Sequence, residues 1–126
     1  MTRKQISEFE ALQGQLQSFH AEMNALVKKN PNDPLNKFKL GLINSVLEKA
    51  NGLLGKAGRP FADFDHFEED AMASTSDVLM IVSQYLSAFE KLRGDNIFQN
   101  RIGRWCWICP GEESVLRTAT PKKLGL

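Results

Sequence analysis

Histidine, cysteine and tyrosine are scarce in this chain: two His, two Cys and one Tyr among 126 residues. So few reactive side chains leave no Ser-His-acid set and no other recognisable nucleophile motif, and no catalytic constellation is expected. Long apolar runs are also missing. The longest aliphatic run, Val78 to Val82, falls far short of the roughly 20 residues that a membrane-crossing helix needs. The basic start Met1–Lys4 is followed by Gln5, Ser7, Glu8 and Glu10, which interrupt the apolar core of any signal peptide. Two cysteines without an export signal fit a reducing compartment, so a cytoplasmic protein is expected. The formal net charge is only +1, which gives no global attraction to nucleic acid or to an anionic membrane.

The charge that is present is unevenly placed. Lys and Arg outnumber Asp and Glu by nine to five over residues 1–60, fall behind by two to seven over 61–93, and lead by five to three over 94–126. An acidic segment thus lies among basic ones, within one molecule or across an assembly. Lys28, Lys29, Lys37, Lys39 and the arginines of the tail are the residues available to a nucleic acid. They form no recognition motif, and nucleic-acid binding ranks last among the expected functions.

What the chain has in quantity is helical apolar periodicity. Phe9, Leu12, Leu16, Phe19, Met23 and Leu26 are spaced 3, 4, 3, 4, 3, a narrow seam on a first helix over about 3–29. Lys28 and Lys29 complement its dipole, Asn30 suits a left-handed position just beyond it, and Pro31 stops it. A second helix is expected over about 34–54, with Asp33 as cap and Pro34 in the first helical position. It carries two neighbouring stripes: Leu35, Phe38, Leu42, Val46, Ala50 and Leu53, then Leu40, Ile43, Leu47 and Leu54. So wide an apolar face calls for two partners. Gly52, Gly55 and Gly58 end this helix. They do not make a phosphate loop, because Gly55-Lys56 is followed by Ala57 and no strand precedes.

A third helix is expected over about 65–93, with Asp65 and Glu68 forming a capping box; Ser74 offers an alternative start. Its apolar face is Val78, Ile81, Val82, Tyr85, Phe89 and Leu92, with Met80 opposite. The acids Asp63, Asp65, Glu68, Glu69 and Asp70 with His66 invite a metal reading. A carboxylate-bridged bundle, however, uses Glu-x-x-His on two helices, and here the order is His66-x-x-Glu69, once. The acids are better explained as first-turn residues favoured by the helix dipole. The expected fold class is all-α, an up-down-up three-helix bundle over 1–94. Residues 95–126 form an irregular extension, a short helix from Asp95 to Ile102 and/or a small β-hairpin, packed on the bundle and frayed at its end.

The extension holds the one constellation with chemical potential, Arg104-Trp-Cys-Trp-Ile-Cys-Pro-Gly111. If Cys106-x-x-Cys109 opens a helix, the two thiols share a face and a helix N-terminus activates them; with Cys109 as N-cap and Pro110 following, only Cys109 is activated. If it is a strand, Cys106 faces away from Trp105, Trp107 and Cys109, and Pro110-Gly111 turns the chain into a further strand over Ser114–Ala119 with Val115 inward. A zinc site needs four ligands, and Cys106 and Cys109 would be completed by His20 and His66 or by the same pair of a second subunit. The plainer reading has the tryptophans and thiols plugging one end of the bundle. Three functions follow, in order. The first is a small helical interaction module, associating with itself or another protein, with Trp105 and Trp107 as contact residues and no cofactor or small-molecule substrate. The second is a redox or zinc protein using Cys106 and Cys109. The third is a nucleic-acid accessory protein.

Overall fold

The computed structural model describes residues 1–111 and 116–122. Three helices dominate it: α1 (Arg3–Lys29), α2 (Lys37–Gly58) and α3 (Thr75–Gly94), followed by a hairpin of β1 (Ile97–Gln99) and β2 (Trp105–Trp107). Among the described residues no helix is long and apolar enough to cross a membrane.

α1 occupies the span its periodicity indicates. Thr2 and Gln5 close a capping box at its start, each side chain bonding the other's backbone amide. The seam does what its spacing implies: Phe9, Leu12, Leu16 and Met23 are buried, and Phe19 and Leu26 pack half-buried against the same core. Asn30 ends the helix with φ −143°, not in the left-handed region, and its amide bonds the Leu26 carbonyl.

α2 begins three residues later than expected. Asn36, not Asp33, is its cap and accepts from the Lys39 amide at 2.8 Å. Asp33 and Pro34 serve a different purpose, because the turn 30–36 is the seat on which α3 starts. The Asp33 carbonyl accepts from Thr75 N–H at 3.0 Å and the Pro31 carbonyl from Ser76 N–H at 3.2 Å. The buried Thr75 hydroxyl donates to the Asn30 carbonyl at 2.6 Å. These carbonyls thereby occupy amides at the free end of α3. At its other end α2 breaks at Gly55, whose φ of +70° suits glycine, before a last turn to Gly58.

The third helix begins at the alternative cap. Ser74 Oγ accepts from the Asp77 amide at 3.2 Å, and α3 starts at Thr75 rather than near Asp65. Residues 59–74 are instead an extended strap with one 3-10 turn, Glu69–Ala71. Two asparagines seven residues apart on α2 hold it there. Asn51 donates to the Asp65 carbonyl, while Asn44 both donates to the Phe67 carbonyl and accepts from the Phe67 amide, all at 2.8 Å. Further along, Leu35 N–H donates to the Ala73 carbonyl at 3.0 Å. The order 51, 44, 35 against 65, 67, 73 means that the strap runs back down the length of α2. Backbone groups engaged in this way are not free to build the expected helical turn at 65–74.

The strap changes the topology. Phe9 near the start of α1 stacks on Phe89 near the end of α3, with ring centroids 4.9 Å apart, while Thr75 at the start of α3 bonds Asn30 just beyond the end of α1. α3 is therefore antiparallel to α1. It runs in the same direction as α2, whose Asn51 accepts from the Tyr85 hydroxyl at 2.6 Å. The up-down-up order inferred above requires a tight reversal after α2. The strap spends that reversal on its own return run, and the chain is up-down-down.

Asn51 is the keystone of this arrangement, buried and bonded at once to the strap and to Tyr85. Burial pushes the Tyr85 phenol above its ordinary pKa, outweighing the hydrogen bond with Asn51, so the hydroxyl stays protonated as a donor to the Asn51 oxygen. Replacing Asn51 with alanine leaves the buried Tyr85 hydroxyl without its acceptor and frees the strap at Asp65, and is expected to cost about 1–3 kcal/mol. Hydrogen exchange should show the loss concentrated in residues 59–74, with the α1–α3 contact spared.

Candidate functional site

The short helix allowed for after Asp95 does not form. Asp95 ends α3 and pairs with Lys91 at 3.1 Å, and Asn96 bonds back to the Leu92 carbonyl at 2.8 Å. β1 then pairs with β2 in antiparallel register, Ile97 opposite Trp107, Phe98 opposite Cys106 and Gln99 opposite Trp105. The connection is built by Asn100, whose side-chain oxygen accepts from the amides of Ile102 and Arg104, and by Gly103 at φ +85°. Arg117 pairs with Cys106 on the far side of β2. That partly realises the further strand expected over 114–119; its Ser114 and Val115 lie outside the described residues.

Strand alternation then separates the cysteines. Trp107 is buried edge-on against Phe9, ring centroids 5.2 Å apart, and its indole N–H donates to Glu10 at 3.3 Å. Trp105 is half-buried against the same core. Cys106 points the other way. It is fully buried but outside the main core cluster, with its sulfur 3.7 Å from the Arg104 carbonyl and 3.8 Å from the Asn100 amide. Cys109 lies beyond the strand end and packs against the core from which Cys106 turns away; both thiols are free. His20 is half-buried on α1, eleven residues and so roughly 16 Å along the helix from Phe9, where the hairpin docks. His66 is exposed on the strap, bonded to Asp65 at 2.6 Å and 3.4 Å from Glu68. The structure therefore does not bring Cys106, Cys109, His20 and His66 together. Among the described residues, no three His, Cys, Asp or Glu side chains gather where a metal ion would need them.

A feature absent from the sequence reading lies beneath this hairpin. Glu90 and Arg93 form a buried ion pair, one turn apart on α3. Arg93 Nε donates to Glu90 Oε2 at 3.0 Å and one terminal nitrogen to Glu90 Oε1. Its remaining donors reach Thr118 Oγ1 at 2.9 Å, the Ala119 carbonyl at 2.6 Å and the Thr120 carbonyl at 3.2 Å. All five guanidinium N–H groups are thus engaged. Glu90 also accepts from the Lys122 amide at 2.9 Å. On a helical wheel, Glu90 and Arg93 look like ordinary polar residues near a helix end. Only the returning tail buries them.

Two grooves flank the outer side of α2. The first, about 660 Å³, lies between α2 and the strap and is lined by Asn44, Glu48, Arg59, Asp65, His66 and Glu69. Arg59 Nε is buried there without a hydrogen-bond partner. Three carboxylates around one guanidinium give the groove mixed charge with an acidic excess. The second, about 640 Å³, lies between α1 and α2. It is lined by Phe19, Leu42 and Val46 together with the small, exposed residues Ala11, Gly14 and Ser18. At Gly14 nothing lies within 4 Å of where a Cβ would stand. One turn from Leu42 stands Phe38, 77% exposed, and Leu42 itself is 47% exposed. These two belong to the first apolar stripe of α2, whose later members Val46 and Ala50 are buried. The second stripe, Leu40, Ile43, Leu47 and Leu54, is buried throughout. The width of this apolar face is therefore only partly used by the chain's own packing. Comparison with family models, with curated proteins and with solved structures finds no match for this chain.

Proposed function

We propose that this protein is a cytoplasmic interaction module that self-associates through the outer face of α2 and the adjoining α1–α2 groove. The observation that carries the reading is the two exposed members of the first α2 stripe, Phe38 and Leu42. Both stand beside a groove whose α1 side presents the small, exposed residues Ala11, Gly14 and Ser18, where a second helix can approach closely. A helix-interior glycine costs about 1 kcal/mol relative to alanine. Gly14, like Gly41 and Gly52 on α2, has nothing of its own chain within 4 Å of where a Cβ would stand, and at Gly14 that space adjoins the groove. Of the tryptophans expected as contact residues, Trp107 is buried against Phe9 and Trp105 is half-buried.

Size-exclusion chromatography with light scattering tests this reading. The wild-type chain is expected to exceed its 14.2 kDa monomer mass as concentration rises. Phe38→Asp places a charge in the apolar contact and should weaken association at least about tenfold, which corresponds to about 1.4 kcal/mol. Because Phe38 is exposed in the monomer, the same change should leave the unfolding midpoint nearly unmoved. A strict monomer that also captures no partner in a pull-down would refute the proposal.

A further inference from the structure

The tail 116–122 is held as a bound peptide is held. Every hydrogen bond it is seen to make leaves the tail for residues 90–107. The Leu116 carbonyl accepts from Trp107 N–H at 2.8 Å and the Thr118 amide donates to the Trp105 carbonyl at 3.1 Å, adding a strand to the open edge of β2. Arg93 then takes the Thr118 hydroxyl and the carbonyls of Ala119 and Thr120, and Glu90 takes the Lys122 amide. The receptor is thus a strand edge, covered in the closed chain by the tail itself, ending in a buried, fixed Arg–Glu fork. That combination reads an extended segment through its backbone, plus one hydroxyl.

We propose that this receptor is an interaction surface whose partner is the same tail from a second copy of the chain, so that two molecules associate by exchanging residues 116–122. The identity of the occupant follows from the contacts. The receptor is complementary to Leu116–Lys122, and a second copy carries that same segment. The exchanged pair forms the same hydrogen bonds as the closed monomer, so exchange loses none of the contacts on which the tail depends. The closed form wins at low concentration because a tethered segment sees its receptor at an effective concentration on the order of 1 mM. Exchange becomes prominent as the protein concentration approaches that value. This proposal does not rest on the α2 face, which lies elsewhere on the molecule.

The pairing of Cys106 with Arg117 supplies the test. The flanking bonds, Trp107 to Leu116 and Thr118 to Trp105, make 106 and 117 a non-hydrogen-bonded pair, with Cα atoms expected about 4.5 Å apart, within disulfide reach. The full chain carrying Arg117→Cys and Cys109→Ser is incubated reduced over a concentration series, then oxidised with oxidised glutathione and run on a non-reducing gel. The expected result is an intrachain disulfide at micromolar concentration and an interchain dimer that reaches about half of the material near 1 mM. The same curve is expected in a Phe38→Asp background, which separates this proposal from the one above. Intrachain disulfide alone at every concentration overturns it. Should the variant not fold, mixed isotope-labelled and unlabelled wild-type chains give the answer by filtered NMR. Intermolecular Hα–Hα contacts between Cys106 and Arg117 near 1 mM support exchange, and their absence overturns it.

Discussion

Replacing Arg93 with methionine is expected to destabilise the protein by about 3–5 kcal/mol, the range for removing one partner of a buried ion pair. The size of the effect comes from what is left behind. Glu90 remains buried with one backbone amide in place of a guanidinium that spends all five donors on it and on the tail. The tail 116–122 also loses three of its anchors, so the amides of Thr118 and Lys122 should lose hydrogen-exchange protection before those of α1 or α3. Chemical denaturation followed by tryptophan fluorescence measures the loss directly. If the pair acts as described, the double variant Glu90→Leu/Arg93→Met should be more stable than Arg93→Met alone, because it removes the stranded charge.

The pH dependence gives the same pair a second signature. Burial works to raise the Glu90 pKa, yet the hydrogen bonds and charges of Arg93 and of Lys122 outweigh it and hold the carboxyl below its ordinary value. A carboxylate whose folded pKa is depressed adds stability above its unfolded pKa and loses it as pH falls through the folded one. The wild-type contribution should therefore be complete above the ordinary value of about 4.5 and fade below it. With Arg93 gone, burial dominates and the sign reverses. The Arg93→Met variant should recover part of its lost stability as the pH falls and Glu90 takes up a proton. Unfolding curves of the two proteins at stepped pH would show opposite slopes in that acid window.

The second large effect is expected at Phe9. Its ring is fully buried, stacked on Phe89 and met edge-on by Trp107, so it joins α1, α3 and the hairpin at one point. Phe9→Ala should cost about 3–5 kcal/mol, the lost transfer energy plus the cavity that three elements line. Because the same ring supports the hairpin, Phe9→Ala and Trp107→Ala should be less than additive, with a coupling of about 0.5–3 kcal/mol in a double-mutant cycle. Full additivity would mean that the hairpin docks independently of the bundle.

How much of this was legible in advance depends on the range of the forces involved. α1 is set by local periodicity and its caps, and its span is the one its sequence indicates. The apolar faces of α2 and α3 are equally local. The stretch 65–74 misleads because Asp65 and Glu68 form a sound local capping signal. Two asparagine side chains on α2, more than twenty positions away in the case of Asn44 and Phe67, hold that backbone extended. Asn44 and Asn51, spaced two helical turns apart, were the available signal: a stripe of amides along a largely apolar helix asks for a backbone to bond. The order of the helices followed from the same misreading.

In the extension the strand alternation of Trp105, Cys106 and Trp107 was readable, and so were buried thiols, as the plainer reading; that Cys106 is buried outside the main core, with Arg117 paired across β2, was not. Glu90 and Arg93 gave no warning at all. Their i, i+3 spacing is that of an ordinary surface pair, and only the tail, more than twenty residues downstream, turns them into a buried fork. For the candidate face the pattern was informative in another way. α2 carries more apolar width than its own neighbours cover, and Phe38 and Leu42 are where the surplus emerges.

The claim that this surplus is an interface is tested most directly by a dilution series of amide NMR spectra of the wild-type chain. Self-association through α2 predicts that the resonances of Phe38, Gly41, Leu42 and Ser45, with Gly14 and Ser18 across the groove, shift together with concentration. In Phe38→Asp these shifts should be lost. Resonances at those six positions that stay fixed from micromolar to millimolar protein would contradict the account.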